Sequence, residues 1–453
     1  MKKFVLLLMG IVCIPVMQLR AESVSTETAD AQVRLLEAMK EKSYNGQMTL
    51  SLVEAQRYAV EHNRSLLNAS LEVKKAHAQR WQTIAAMLPQ ADASGQYVNM
   101  CGYEMKLGTM PMPMPSYIAG SVTAQVGLNG QAIVGALLNT LAIEMQDVSR
   151  EQNESELRAS VMNAYMAVLV SENVVHLMDS SLNNLQRLYD QTVKMVEVGA
   201  AEQTQADQIR VRVNALMNNK RSNELNVELA YNSLRVLLDV DAETNLVLTD
   251  PIESVLSAEQ TLALLGEDFN IANNYNYQLL EKNVQMAKYN VHMAAWAYGP
   301  TIGMQYQYNP DRHYFSDKEG FNMNPTNMVA VSVSMPLWSS GKRAAGVTEK
   351  RIALQEARNT LSETTDNLGI QHQQLRYSLA NAYQTYINET DNLDVTARVM
   401  QNVTNKYNWG AASMLELTNA SNDVIAAQSS YVQAVMSLVQ AYVALDQFLN
   451  NPK

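Results

Sequence analysis

The chain has little sulfur for cross-links and little charge. Only two cysteines occur in 453 residues. Cys13 falls in a leading apolar stretch, so a chain trimmed there would keep Cys101 alone and form no internal disulfide. Charged residues make up 17% and the formal charge is −11, a sign that argues against nucleic acid as a partner. No glycine loop that could cradle a phosphate is present, so any energy input must come from another protein. His62, His77, His176, His292, His313 and His372 are scattered, with no i, i+4 pairing and no cysteine nearby, and they suggest neither a zinc site nor a catalytic triad. The expectation is no enzyme and no cofactor. After the leading stretch, no run reaches the ~18 uninterrupted apolar residues of a membrane helix.

What is present begins with an address. Lys2 and Lys3 precede an apolar stretch from Phe4 to Met17, and Arg20-Ala21 offers a cleavage point, the anatomy of a secretory signal over residues 1–21. A lipoprotein signal at Cys13 competes, but Gly10-Ile11-Val12 is a poor lipobox. Removing Lys2, Lys3 and Arg20 takes the charge from −11 to −14. Hydrophobic residues are 47%, beside abundant Asn, Gln, Ser, Thr and Ala, so the surface reads as polar but weakly charged.

One layout occurs twice. Pro89 recurs as Pro300 and Gly199 as Gly410, each 211 positions on. Each copy runs from a helical stretch to proline, two alternating segments around a loop, a very long helical stretch, glycine, and a further helical stretch, and such self-similarity decides which residues are equivalent. The first repeat is assigned to residues 22–240 and the second to 268–453. Between them, 241–267 with Pro251 is a linker or an equatorial girdle.

The alternating segments predict strands at about 90–100, 119–129, 300–309 and 327–338. Ile302, Met304, Tyr306 and Tyr308 alternate with Thr301, Gly303, Gln305 and Gln307. Val329, Val331, Val333, Met335 and Leu337 alternate with Ala330, Ser332 and Ser334, and Val122, Ala124, Val126 and Leu128 with Ser121, Thr123 and Gln125. Tyr97 with Ala91, Ala93 and Gly95 forms a weaker set. Each segment has about the ten residues of a tilted membrane strand; a soluble half-buried sheet is the alternative reading. Ile302, Met304, Tyr306, Val329, Val331 and Val333 are the candidate lipid-facing residues. Four strands cannot close a barrel, since the smallest closed examples have about eight. Two copies would give a filled interior and three a water-holding lumen. A trimer of four strands per protomer, twelve in total, is the favoured expectation.

The helical stretches at about 131–198 and 340–407 lack proline, and at 1.5 Å per residue each makes a rod of roughly 100 Å. Ala427, Tyr431, Ala434, Leu438, Ala441, Leu445 and Phe448 form a heptad stripe, the mark of a coiled coil. The fold class expected is mainly α with a small β part: a trimeric barrel continuous with a long α-helical coiled-coil tunnel, built from two internal repeats.

Two motifs resemble those of the TolC-like outer-membrane efflux proteins. Met335-Pro-Leu-Trp-Ser-Ser-Gly-Lys-Arg343 is similar to that family's strand-to-helix signature, and Tyr407-Asn-Trp-Gly-Ala-Ala-Ser-Met-Leu-Glu-Leu-Thr-Asn-Ala420 to its Tyr-x-x-Gly motif. The resemblance spans about Leu50 to Leu449. It implies outer-membrane localisation in a Gram-negative bacterium with a periplasmic extension, a homotrimer in outer-membrane lipid, and a passive exit duct of a tripartite pump. The partners implied are a periplasmic adaptor and an inner-membrane transporter of the resistance-nodulation-division or ABC type. A protein-secretion duct of type I and a structural coiled-coil spacer remain as alternatives. Carried across, Tyr407, Gly410, Glu416 and Asn419, with Gly199, Thr204 and Gln205 of the first copy, fall at the periplasmic entrance. Asn419 stands where a second acid is typical and Ala412 where the archetype has an arginine.

The charge pattern points to an entrance independently. Between Lys194 and Arg210 no basic residue occurs, while Glu197, Glu202 and Asp207 do; after Tyr407 come Glu416, Asp423 and Asp446, with no basic residue before Pro452. Copies around an axis would turn an inward acid into a ring that favours cations. No metal site is assigned, although Met100, Cys101, Met105, Met110, Met112 and Met114 gather soft sulfur in one loop, to be weighed against methionine's ordinary use as a filler.

Overall fold

The computed structural model describes residues 47–107, 110–252, 257–310, 313–314 and 326–450. The signal segment 1–21 and the Cys13 alternative lie outside them. In chain order the elements are β1 (Gln47–Leu50), α1 (Leu52–His62), α2 (Arg64–Ala85), β2 (Gln90–Val98), β3 (Glu104–Leu107), β4 (Met110–Pro113), β5 (Tyr117–Leu128), α3 (Gly130–Glu197), α4 (Gln203–Leu238) and β6 (Asn245–Leu248). There follow α5 (Ala258–Gly266), α6 (Tyr275–Ala295), β7 (Thr301–Tyr308), β8 (His313–Tyr314), β9 (Asn327–Ser334), α7 (Lys342–Asn408) and α8 (Met414–Leu449). Helices dominate and the sheet is small. Matching elements start at a constant spacing: α2 and α6 begin at 64 and 275, and α4 and α8 at 203 and 414, in each case 211 positions apart.

Two compact units are present. One, in its described part, comprises residues 47–51 and 240–249 and contains the parallel pair β1–β6, in register from Gln47 opposite Asn245 to Leu50 opposite Leu248. That pair places a strand inside the segment expected to be a linker or girdle. The other unit holds everything else.

In the larger unit, long helices form because nothing interrupts them and their ends are capped. Asn63 accepts from the Ser65 and Leu66 amides, Asn129 from Ala132, and Asn274 from Asn276 and Tyr277, each satisfying otherwise orphaned N–H groups. The rods α3 and α7 contain 68 and 67 residues. Rod α3 packs on α1, α2, α4, α6 and α8, while α7 packs on α6 and α8. Every residue of the heptad stripe on α8 is buried, from Ala427 to Phe448. Stretches of α3 and α8 are long and apolar enough to cross a bilayer, and 44% and 50% of them are buried within the bundle.

Four long antiparallel strands pair in the order β2-β5-β7-β9, with β8 joined to β5. The sheet is open. Strand β9 stops at Ser334, short of the expected 338, because Pro336 has no N–H to extend a ladder and restricts the residue before it. The chain then turns through Ser340 (φ 47°) and Gly341 (φ 83°) into α7. Arg343 holds this turn: Nε donates to Ser339 Oγ at 2.9 Å, Nη1 donates to the Pro336 carbonyl at 2.6 Å, and the guanidinium sits 4.9 Å from the centre of the Tyr298 ring. These contacts give the Pro-Leu-Trp…Gly-Lys-Arg signature its physical content.

The other junction needs a missing side chain. A Cβ on Gly130, the first residue of α3, would lie 2.0 Å from Cδ2 of Trp296, so the indole packs directly on backbone. Gly130→Ala is expected to lower stability by about 1–3 kcal/mol, as overpacking does. Thermal unfolding of single and double variants checks this: the penalty should largely vanish in a Trp296→Ala background, and an equal penalty in both backgrounds would contradict the contact.

Candidate functional site

Cross-strand register determines what each sheet face presents. Ile302 lies opposite both Val333 and Leu128, Met304 opposite Val331 and Val126, and Tyr306 opposite Val329 and Ala124. On the far side of β5, Val122 faces Ala93 and Ile118 faces Tyr97. Residues directly opposite share a face, so these positions form one apolar surface across all four strands. It is open to solvent in the single chain, with Val331 and Val333 at 69% and 68% exposure.

The opposite face is polar. Gln305 lies between Gln125 and Ala330, Gln307 between Thr123 and Met328, and Gly303 between Gly127 and Ser332. Further along, Ser94 and Ser121 share a hydrogen bond of 2.8 Å and Asp92 faces Thr123. Asp92 is the only acidic or basic residue on this face of the four long strands, which also carries Tyr117. A surface of amides and hydroxyls can be wetted while carrying little field.

The second region is the helical end where α3 turns into α4 and α7 into α8. Both turns close alike. Gly199 (φ 74°) donates to the Val196 carbonyl and Gly410 (φ 71°) to that of Tyr407, each at 2.9 Å. Ala200 and Ala411 donate to the carbonyls of Met195 and Lys406, each at 2.8 Å. The left-handed φ explains why glycine occupies both positions. The new helices start differently. Ser413 and Glu416 form a reciprocal capping box, with Ser413 Oγ accepting from the Glu416 amide at 3.2 Å and Glu416 Oε2 accepting from the Ser413 amide at 3.1 Å. Glu202 stands at the equivalent place in the first turn without such a bond; its carboxylate accepts instead from Thr204 Oγ1 at 3.1 Å.

The four helix ends share one core. Leu185 and Leu188 of α3, Ile209, Val213 and Leu216 of α4, Tyr407 of α7 and Leu417 of α8 are buried together, and Arg212 donates to Asn422 Oδ1 at 3.0 Å between α4 and α8. Of the entrance candidates, Tyr407 is buried in this cluster, while Thr204, Glu416 and Asn419 are exposed and Gln205 is half-buried. Glu197, Glu202, Asp207 and Asp423 are exposed near the tips. Asp446 is not among them: it lies in the last turn of α8, about 50 Å from Ser413 at 1.5 Å per residue, because α8 runs unbroken away from the tip.

Three features escape a reading by charge alone. Val198, Trp409 and Leu415 project at the tips with 79%, 88% and 67% exposure, the first two directly preceding the turn glycines, which was their one sequence signal. The loop of the first sheet pair contains a hairpin, β3–β4. Along α3, Tyr231 of α4 donates to Glu172 Oε1 at 2.6 Å; burial first, and then that carboxylate, push the phenol above its ordinary range. Among the described residues no group of three or more His, Cys, Asp or Glu could hold a metal ion.

Tyr407→Ala should cost the tip core about 3–5 kcal/mol, the range for large aromatic truncations, whereas Asn419→Ala on the surface should stay within about 0.5 kcal/mol. Hydrogen exchange over residues 400–420 should show much faster opening for the first variant only. Equal protection in both would contradict the packing.

Residues 270–451 match the family model described as outer membrane efflux protein. The chain is 23% identical over 316 residues to the outer membrane efflux protein BepC of Brucella suis biovar 1 (strain 1330), covering 68% of this chain and 67% of the relative. Its fold is similar to the outer membrane protein VceC of Vibrio cholerae, with a TM-score of 0.69, 15% identity, and coverage of 88% of this chain and 96% of that one. It is also similar to the outer membrane channel MtrE of Neisseria gonorrhoeae in its open state, with a TM-score of 0.69, 16% identity and 88% of each chain covered. Residues 270–451 thus match the outer membrane efflux protein family model, and the fold of solved outer-membrane channels extends over 88% of the chain.

Proposed function

We propose that three copies of the chain close their sheets into one twelve-stranded barrel and serve as the passive exit duct of a tripartite efflux pump. The observation that carries the proposal is the two-faced sheet, whose apolar residues from Tyr97 to Val333 lie on one surface and whose glutamines, serines and threonines lie on the other. Among the described residues β2 pairs only with β5 and β9 only with β7, leaving an edge at each end for a neighbouring copy. The helices offer matching surfaces: Leu225, Leu229 and Val236 on α4 and Ile370, Tyr377 and Val395 on α7 are exposed apolar residues in the single chain. The common spacing of 211 positions supports two structural repeats per protomer and hence pseudo-sixfold walls.

In this reading the rods carry the lumen into the periplasm and the capped turns around Gly199 and Gly410 form its entrance. A periplasmic adaptor and an inner-membrane transporter, which supplies the energy, complete the pump. Val198, Trp409 and Leu415 give the entrance a knobbed apolar rim suited to contact with protein.

Planar-bilayer recording tests the duct. The reconstituted protein should conduct and favour cations, and replacing Glu197, Glu202, Asp207 and Glu416 by their amides should abolish the preference; anion preference in the unmodified protein would contradict the proposal. The barrel makes a separate prediction. Val331→Arg on the lipid face should destabilise the inserted protein by about 2–4 kcal/mol, lowering the trimer yield from outer membranes. Gln305→Arg on the lumen face should insert normally and weaken cation selectivity. Equal tolerance of both would exclude the assigned faces.

A further inference from the structure

Each long strand of the sheet adjoins one helix in the chain: α2 leads into β2, β5 into α3, α6 into β7 and β9 into α7. The helices keep the order of the strands, since α2 packs on α3, α3 on α6 and α6 on α7. The ten residues of each helix nearest the sheet, 76–85, 130–139, 286–295 and 342–351, therefore form a collar roughly 15 Å deep. Arg80, Lys288, Lys342, Arg343, Lys350 and Arg351 lie in it against a single acid, Glu349, which accepts from Lys350 at 2.7 Å. The connecting residues 86–89, 129, 296–300 and 335–341 carry no charge. In a chain of formal charge −11 this is a local reversal of sign.

The excess is not neutralised within the chain. Beyond the collar the signs pair, Lys75 with Glu72 and Lys282 with Glu144. Within it, no carboxylate pairs with Arg80, Lys288, Lys342, Arg343 or Arg351 among the described residues. Arg343 is held by neutral groups alone, the Ser339 hydroxyl, the Pro336 carbonyl and the Tyr298 ring, so its charge stays uncompensated. Arg80 Nε is enclosed without a hydrogen-bond partner. Lys288, Lys342 and Arg351 are exposed. Aromatic residues are interleaved with these cations: Trp81, Trp296 and Trp338, three of the four tryptophans in the chain, are exposed in or beside the collar, as is Tyr298. Leu128 and Ile302, at the helix-side end of the apolar sheet face, are exposed next to it.

We propose that this collar binds the headgroups of anionic phospholipids at the helix-side boundary of the membrane, an inference that rests on the barrel reading. Lysine and arginine beside a bilayer are drawn to anionic lipid, and the amphipathic rings of tryptophan and tyrosine settle at headgroup level. The long basic side chains lay their stems along apolar surface and present their charge to the headgroup. Continuity with the apolar sheet face selects a lipid over a free phosphate: acyl chains have a surface to follow, and a bare anion would gain nothing from the tryptophans.

Spin-labelled lipids read the preference. Full-length protein is reconstituted in phosphatidylcholine vesicles at about 0.05 M salt with a trace of spin-labelled phosphatidylglycerol or phosphatidylcholine. Electron spin resonance then gives the fraction of each probe immobilised on the protein. Phosphatidylglycerol should be favoured at least about twofold, averaged over all bound lipid. In the unmodified protein ~1 M salt, with a Debye length of ~3 Å, should remove most of that preference. K288Q/K342Q/R351Q should bring the two probes near parity, and K288R/K342R should keep them apart. Parity in the unmodified protein, or a preference that K288Q/K342Q/R351Q leaves intact, overturns the proposal. A gain of cation selectivity in that variant at unchanged lipid preference would place the charges in the lumen and overturn it too. Insertion is scored separately: immobilised phosphatidylcholine with no preference for phosphatidylglycerol sinks the collar alone, whereas immobilisation of neither probe sinks the barrel and the collar with it.

Discussion

A strand at the edge of a sheet carries a row of N–H and C=O groups, and hydrocarbon offers them no partner. Each such group costs several kcal/mol in lipid. Among the described residues β2 and β9 hold those edges, and the residues between them present Val, Ile, Met and Tyr on one side. In the proposed barrel the apolar side meets lipid, which the open edges forbid to a lone chain. Closure with further copies satisfies both requirements. The proposed assembly would also cover the exposed apolar residues of α4 and α7.

The helices work by packing more than by charge. The heptad stripe of α8 is buried throughout against its neighbours. Where the rods reverse, the tip is held by a left-handed glycine in each copy and by a shared core from four helices. The two turns differ in one chemical respect. Glu416 spends its carboxylate on a capping box, whereas Glu202 leaves the first amides of α4 without a side-chain cap. The first turn is therefore the less firmly fixed start of a helix, an asymmetry between copies that an opening motion of the tip would feel.

Much of this was legible because its signals are periodic. The strands lie within a few residues of their expected bounds, and α3 and α7 begin and end within two residues of theirs. Strand β9 was read too long because alternation continues through Leu337 although Pro336 ends the ladder. The pair β1–β6 was missed because four-residue strands far apart in sequence carry no period. The entrance was harder to read. The resemblance puts Tyr407 at the entrance without saying that its side chain is buried in the tip core, and Asp446 reads as a tip charge only if the length of α8 is ignored. Charge and residue type report composition, while position along a rod depends on how far the helix runs unbroken.

The assignment of sheet faces supports the whole account, and spin-label accessibility tests it most directly. In a Cys101→Ser background, single cysteines at 302, 304, 306, 305 and 307 are labelled in protein reconstituted in lipid. The account predicts high collision rates with oxygen and low rates with a water-soluble nickel chelate at Ile302, Met304 and Tyr306, and the reverse at Gln305 and Gln307. Uniform shielding of all five positions, or no alternation between them, would contradict it.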